Sequence, residues 1–314
     1  MNKITVSLSK NANYIYHMLS VSACGYENQY GEKYKDIHHI TELEILNKNK
    51  DLLTVKGGSY FGRLYSVFVS TPAAIEDEDI FLNYFEGLKD LFLNDNPIEN
   101  YETYKEVYQT AYAAHRFVVT KQSSIDFYHY LIDLKKPILE ICEVLINNYS
   151  IYHEYVWQKS KQELEKKKEL LDKMLYLDNV MNWEKILNHK YPFDKFEVLL
   201  CNAISGGAQA IDIAYNKDIF DAEMDVETIV QYVSHEFGIY ILKDRLKQED
   251  IDIYSNYEVV ESVIEYFNPI TYKKLVFGNN QNNIIEQIKN ITSSGSSISI
   301  VEIIYNIIKK GLTI

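Results

Sequence analysis

Apolar positions recur at helical spacing along most of this 314-residue chain. Between residues 101 and 187 the pattern is helical almost throughout, with apolar side chains three and four residues apart. The same spacing predicts further helices over residues 11–23, 34–46 and 76–92. Residues 4–8 alternate between apolar and polar and predict a short strand. The first part of the chain, residues 1–190, is therefore predicted to be mainly helical.

Two adjacent histidines, His38 and His39, fall on the helix predicted over residues 34–46. Neighbouring residues on a helix point about 100° apart, so the two imidazoles cannot easily face one metal ion. We therefore do not assign this pair as metal ligands.

The pattern changes near Tyr191 and Pro192. Residues 196–204 are apolar and predict a strand, and residues 209–215 alternate and predict a second one. Ser205, Gly206 and Gly207 lie between them and are typical of a hairpin turn. Helices are predicted again over residues 226–246, 256–267, 282–291 and 298–310. The whole chain is predicted to be a mainly helical α+β protein with a soft boundary between residues 1–190 and residues 191–314.

Composition narrows the classes of partner and compartment. Hydrophobic residues make up 46% of the chain, enough for a sizeable core, and the net charge is −13. Nucleic-acid binding needs a basic face, so this charge argues against a nucleic-acid partner. No apolar run reaches the roughly 18 residues that a membrane span needs, and none of the three cysteines has CxxC spacing. Residues 1–7 lack the apolar core of a signal peptide, so we expect a cytoplasmic protein without a membrane partner.

Two of the predicted helices hold the candidate chemistry. The first, over residues 226–246, contains His235 and Glu236, and the second contains three glutamates: Glu258, Glu261 and Glu265. A zinc peptidase helix has the sequence His-Glu-x-x-His, in which two imidazoles one turn apart bind the metal and the glutamate is the general base. Here Ile239 stands where the second histidine would be.

These paired segments resemble the gluzincin class of metallopeptidases. The resemblance lies in residues 233–237 (Val-Ser-His-Glu-Phe) and residues 260–267 (Val-Glu-Ser-Val-Ile-Glu-Tyr-Phe). The second segment is similar to the helix Asn-Glu-Ser/Gly-x-x-x-x-Tyr of that family, with Glu261 at the position of the third ligand, 22 residues after Ile239. The His-Glu-Phe start also resembles a group of bacterial His-Glu-Phe-x-His proteins of unknown function.

The resemblance implies a zincin-like domain in residues 191–314. His235 would be the first metal ligand, Glu236 the base that activates water, and Glu261 the third ligand. In such peptidases an edge strand beside the active-site helix commonly holds an extended substrate by strand addition. A peptide or protein partner is then expected at the start of the second predicted strand, on Ala208, Gln209, Ala210 and Ile211. An ordinary scaffold hairpin is the alternative interpretation of these residues.

The chain departs from the family at Ile239, which offers no lone pair to a metal. Catalytic zinc usually keeps three protein ligands and a water, so we expect zinc to bind weakly or not at all to His235 and Glu261 alone. Glu236 would then have no metal-bound water to deprotonate. Glu265 and Glu258 lie one turn after and before Glu261, and Glu265 is the candidate replacement ligand. A histidine from elsewhere could also complete the site: His115, His153 or His189.

Gly238 lies within the first of these helices, where glycine costs about 0.8–1 kcal/mol relative to alanine. The missing side chain would allow another backbone to approach closely, and the preceding hairpin is the expected neighbour. This expectation favours a packed site and says nothing about metal.

Three functional interpretations follow from these residues. The first is a degenerate metallopeptidase homologue that binds a peptide or protein with little or no classical zinc peptidase activity. The second is an active metal-dependent hydrolase with a site rebuilt from His235, Glu261 and Glu265. The third is a helical interaction protein in which the motif is incidental, because residues 76–190 show amphipathic helices and no visible chemistry. His235 would then be a core or interface histidine bonded to Glu261 or Glu258 across the helix pair.

Overall fold

The chain separates into two compact units, each assembled from segments distant in sequence. In a computed structural model, the described residues are 4–56, 60–113, 119–175, 182–207, 210–252, 254–271, 279–293 and 299–309. We name as the N-terminal unit residues Val6–Glu169 with Glu197–Met224, and as the C-terminal unit Met1–Thr5, Leu170–Phe196 and Asp225–Ile314. The boundary near residue 191 stays a prediction.

Helices dominate the described residues, and the strands form a small mixed sheet, so the α+β class with mainly helical content is confirmed. The elements up to residue 175 are β1 (Ile4–Ser7), α1 (Lys10–Val21), α2 (Gln29–Tyr34), α3 (Ile40–Lys48), α4 (Lys50–Leu53), β2 (Val55–Lys56), β3 (Tyr60–Phe61), α5 (Thr71–Ala74), α6 (Glu78–Leu93), α7 (Tyr101–Ala113), α8 (Lys121–Leu131), α9 (Lys135–Tyr152) and α10 (Gln158–Leu175). Within the described residues of the whole chain, no helix is long and apolar enough to cross a membrane.

The first long helix, α1, forms the centre of the N-terminal unit. Its N-cap Ser9 accepts a hydrogen bond from the Ala12 amide at 3.1 Å, and all its residues after Lys10 are buried. A single helix was predicted over residues 34–46, which is wrong. The chain instead forms α2, a short 3₁₀ turn at Lys35–Ile37 and then α3, because His38 takes an extended backbone conformation that turns its side chain into the interior.

The sheet has the strand order β1-β4-β6-β5, where β4 is Phe196–Cys201, β5 is Ala210–Ala214 and β6 is Lys217–Asp221. The hairpin predicted between β4 and β5 is wrong, because these strands are not neighbours. β6 lies between them, parallel to β4 and antiparallel to β5. The hairpin joins β5 to β6 through Tyr215 and Asn216, a turn without glycine that gave little signal in the sequence.

The C-terminal unit is built around one long helix, α12 (Val226–Gln248), which begins at Asp225, whose side chain accepts from the Thr228 amide at 2.9 Å. The other helices of this unit are α11 (Asn182–Ile186), α13 (Tyr257–Phe267), α14 (Asn279–Thr292) and α15 (Ile300–Lys309). α13 packs against α12, α14 and α15. The two sequence segments that contain the candidate site residues therefore lie on neighbouring helices.

A buried tryptophan explains the glycine in α12. An added Cβ at Gly238 would lie 2.6 Å from the Trp183 indole, so the close neighbour is a side chain of α11 and not the backbone of the hairpin. Trp183 is fully buried, and its Nε1 donates to Ser234 Oγ at 3.1 Å. Ser234 in turn donates to Asn268 Oδ1 at 2.7 Å. The indole is thus fixed on α12 from two sides.

Gly238→Ala is expected to lower the free energy of unfolding by about 1–3 kcal/mol, because overpacking against a fixed ring exceeds the gain in helix propensity. Chemical denaturation of the full chain measures the effect. Gln248→Ala, at the exposed end of the same helix, is the control and should change stability by less than about 0.5 kcal/mol. Trp183→Leu should make Gly238→Ala less costly in a double-mutant cycle; equal costs in both backgrounds would contradict the explanation.

Candidate functional site

The structure brings His235 of α12 between two glutamates of α13. Nε2 of His235 lies 2.8 Å from Oε2 of Glu261, and Nδ1 lies 3.5 Å from Oε2 of Glu265. The first contact is a hydrogen bond, and the second is an ion-pair distance without a hydrogen bond. Only 4% of His235 and 9% of Glu265 are exposed. Glu261 and Glu265 share one face of α13 because they are one helical turn apart.

The surroundings of His235 favour its charged form. Burial lowers the pKa of the imidazole, but its partners Glu261 and Glu265 and the charge of Glu236 outweigh burial and raise the pKa to about 10. Burial likewise raises the pKa of Glu261, yet His235, Tyr257 and Lys243 together hold it below its ordinary value. At neutral pH the pair is therefore an imidazolium facing a carboxylate. An imidazole that stays protonated at neutral pH cannot act as a general base there.

The two carboxylates lie on different edges of the imidazole ring. A metal on Nε2 could be shared with Glu261, but Glu265 lies at the other nitrogen, where carboxylates orient a ligating histidine and do not bind the metal themselves. Ile239, at the position of the second histidine, is 1% exposed and supplies no donor. The site thus offers two ligands where catalytic zinc usually has three. These residues do not fit a catalytic zinc ion.

The other candidate ligands are placed elsewhere. Glu258 is exposed, and His189 bonds to Asp244 Oδ2 at 2.7 Å in the C-terminal unit. His153 belongs to the N-terminal unit, 3.2 Å from Lys10 Nζ, and His115 lies outside the described residues. Across the described ranges, no group of three or more His, Cys, Asp or Glu side chains is arranged to hold a metal. The replacement of the second histidine by Glu265 stays a prediction that this arrangement does not favour.

The candidate peptide-binding residues belong to the N-terminal unit. Ala208 and Gln209 lie outside the described residues. Ala210 and Ile211 are partly exposed and begin β5, an end strand of the sheet that pairs with β6. In the part of the chain that the structure describes, β5 ends the sheet order, and it also contacts α5 and the helical turn at Ser66–Ser70.

Sequence reasoning missed two residues that act on Glu261. Tyr257 hydrogen-bonds to it, and the positive charge of Lys243 lowers its pKa. Helical spacing could have found both, because Tyr257 precedes Glu261 by one turn and Lys243 follows His235 by two turns. Glu236 is half-buried, and its charge acts on His235 and on the Tyr232 hydroxyl.

Comparison with known proteins adds no relative to this geometry. No family model, no curated protein and no solved structure matches the chain.

The ion pair at His235 predicts a stability that falls in alkali. The pKa of His235 is about 10 in the folded chain, and its ordinary value is 6.5. The stabilisation that the ion pair gives to the folded state is therefore complete below about pH 6.5 and is lost as the pH rises through 10. The slope approaches about 1.4 kcal/mol per pH unit in that window. Denaturation at several pH values should show this slope in the native chain and a smaller one in Glu261→Gln.

The matched control for that experiment is Glu258→Gln, the same substitution at an exposed glutamate one turn before Glu261 on the same helix. Its alkaline slope should equal that of the native chain. A native chain whose unfolding free energy is flat between about pH 6.5 and 10 would contradict the assignment of the charge.

Proposed function

We propose that this chain is a degenerate gluzincin-like protein that binds a peptide or protein without classical zinc peptidase chemistry. The observation that carries the proposal is the placement of Glu261 and Glu265 at the two different nitrogens of His235. In a zinc peptidase Nε2 and the third-ligand glutamate both turn to the metal. Here Glu261 bonds to the imidazole directly, and Ile239 fills the position of the missing ligand.

The zincin-like assignment of the C-terminal unit is part of this proposal. It is supported by the packing of α12 on α13 and by the contact between His235 and Glu261, the two positions that the resemblance assigns to the metal. A core histidine paired with a glutamate across two packed helices would make the same contact, so the zinc test below separates this proposal from an incidental motif. A hydrolase rebuilt on Glu265 is less well supported, since that carboxylate lies at Nδ1.

The binding function is placed on the edge strand β5. Ala210 and Ile211 are only partly buried and begin the strand that ends the sheet order, which is the position where an extended peptide adds to a sheet. A cytoplasmic location also belongs to the proposal and is supported by the free thiols of the three cysteines, Cys24, Cys142 and Cys201, all of which are buried.

Zinc content tests the lost metal site. The native chain is expected to retain far less than one zinc per chain after zinc loading and dialysis, measured by elemental analysis. Ile239→His should raise this toward about one, because it places a second imidazole one turn from His235 on the same face. Tyr240→His is the matched control and should gain none, because Tyr240 points elsewhere and packs on Phe196.

One outcome would overturn the zincin-like assignment, and another would overturn the proposed loss of zinc peptidase activity. No gain of zinc in Ile239→His would mean that the helix pair is not arranged as in a zinc peptidase. About one zinc per native chain, lost in His235→Ala, together with peptidase activity lost in Glu236→Gln, would establish the rebuilt hydrolase instead.

Backbone methylation tests strand addition at β5. Peptides selected from a random display library on the full chain should be resynthesised with N-methyl groups on alternate residues. Because alternate N–H groups of an added strand point toward the edge, one set should weaken binding at least about tenfold, or ~1.4 kcal/mol, and the other should not. The bound peptide should also slow amide exchange over residues 210–214. Equal losses for both sets, or protection confined to other residues, would contradict this binding mode.

A further inference from the structure

Two buried histidines of the N-terminal unit contact each other. Nε2 of His17, on α1, is 2.7 Å from Nε2 of His38, which precedes α3. His17 is fully buried and His38 is 7% exposed. The sequence did not indicate this contact, because the two residues lie on different helical segments and His38 was expected to lie on a helix.

The neighbouring groups allow only one assignment of donors and acceptors to the hydrogen bonds of this pair. Both amide hydrogens of Asn148 are donated, to Val144 O at 2.8 Å and to Glu42 Oε2 at 2.9 Å. Asn148 Oδ1, 2.7 Å from His38 Nδ1, must therefore accept from it. This leaves Nε2 of a neutral His38 as an acceptor for the Nε2–H of His17.

The other nitrogen of His17 completes the chain. Nδ1 lies 3.0 Å from the Tyr30 hydroxyl, which donates to it when His17 is neutral. That hydroxyl is also bonded to Ser160 on α10. Two neutral imidazoles thus use all four of their ring nitrogens, and neither has a free lone pair.

Protonation of either imidazole would break one of these hydrogen bonds, because all four ring nitrogens already have partners. One proton on Nδ1 of His17 would make Tyr30 reverse its hydroxyl and would leave a buried imidazolium. A second proton, on Nε2 of His38, would set two N–H groups against each other at 2.7 Å.

Few charges are near enough to help. The groups that face the pair are Tyr30 and Tyr34 from α2, Glu42 from α3, Asn148 and Tyr152 from α9, and Ser160 from α10. Burial and then His38 lower the pKa of His17, and burial lowers the pKa of His38 despite Asn148 and Glu42. Glu42 alone carries a negative charge among these groups, and Asn148 separates it from the imidazoles.

The pair connects residues 35–40, which we call the corner, to the interior of the N-terminal unit. Residues 35–40 connect α2 to α3, and they form one wall of a cavity of about 860 Å³ together with Glu32, Leu43, Glu44 and Ile151. On the other side, Asn148 and Tyr152 lie just before a π-helical turn at His153–Trp157 that interrupts the long helix from α9 to α10. Such turns occur frequently at functional sites.

We propose that the His17–His38 pair is an acid-operated latch that holds residues 35–40 against the interior, as one wall of this open pocket, above neutral pH and releases them when the pair gains a proton. The direction follows from linkage. Both folded-state pKa values lie below the ordinary value of 6.5, so the latch is intact above about pH 6.5 and weakens as the pH falls below it. This inference does not depend on the proposed peptide-binding function.

Amide exchange of the full chain, followed by NMR or mass spectrometry and corrected for intrinsic rates, tests the latch. Between about pH 7.5 and 5 the opening of the corner should increase about 30-fold if one released imidazole recovers its ordinary pKa. The reporting amides are those of His38, bonded to Lys35 O, and of Leu43, bonded to His39 O. The Phe81 amide, bonded to Asp77 O at the start of α6, should stay protected.

Two variants separate the latch from general acid sensitivity. His38→Gln should open the corner at both pH values and remove most of the pH dependence. His39→Gln is the matched control, because His39 lines the same cavity, is exposed, and has no bond to His17. It should keep the full response; a lost response in His39→Gln would overturn the proposal.

A measurement on the native chain stands even if His38→Gln does not fold. Nitrogen chemical shifts near pH 7.5 should show His17 protonated at Nε2 and His38 at Nδ1, both neutral. A charged imidazole in either residue at that pH would overturn the proposal. So would unchanged protection of the His38 and Leu43 amides at about pH 5.

Discussion

A charge buried between two helices is the constraint on which the C-terminal unit depends. His235 lies inside the helix pair, where an unpaired imidazolium would be strongly unfavourable. Glu261 and Glu265 make the charge tolerable, and Tyr257 and Lys243 in turn stabilise Glu261. Removing one partner of such a pair costs about 3–5 kcal/mol, because the other charge stays buried and uncompensated. The register of α12 against α13 is therefore coupled to this contact.

The two buried histidine clusters show how strongly partners decide protonation. His235 and His17 are both removed from water, and burial alone lowers the pKa of each. His235 has carboxylates at both ring nitrogens, and its pKa is raised to about 10. His17 has a tyrosine hydroxyl and a second imidazole, and its pKa is lowered. One cluster thus loses stability in alkali and the other in acid, for the same physical reason.

The contact between His235 and Glu261 satisfies both side chains without a metal ion. The imidazole and the carboxylate bond to each other directly, and Ile239, one turn after His235, supplies no polar atom. This pair keeps the helices together and needs no cation to offset carboxylate repulsion, which a glutamate cluster alone would require.

The sequence by itself determined the helical content, the approximate bounds of α1, α6, α12 and α13, and the candidate polar residues on the last two of these helices. These features depend on local periodicity and on positions one turn apart, which are visible along the chain. It did not determine the order of the strands. A tight turn at Ser205–Gly207 suggested that β4 pairs with β5, but a non-local strand, β6, lies between them.

Tertiary structure alone decided the partners of the buried polar groups. Whether Glu265 joins Glu261 or lies at the other nitrogen depends on the angle between two helices, which periodicity does not contain. Gly238 was visible as an anomaly, but the Trp183 indole that requires it comes from a segment 55 residues earlier in the chain. The His17–His38 contact was invisible for the same reason, since hydrogen bonds between distant segments form only when the packed core brings those segments together.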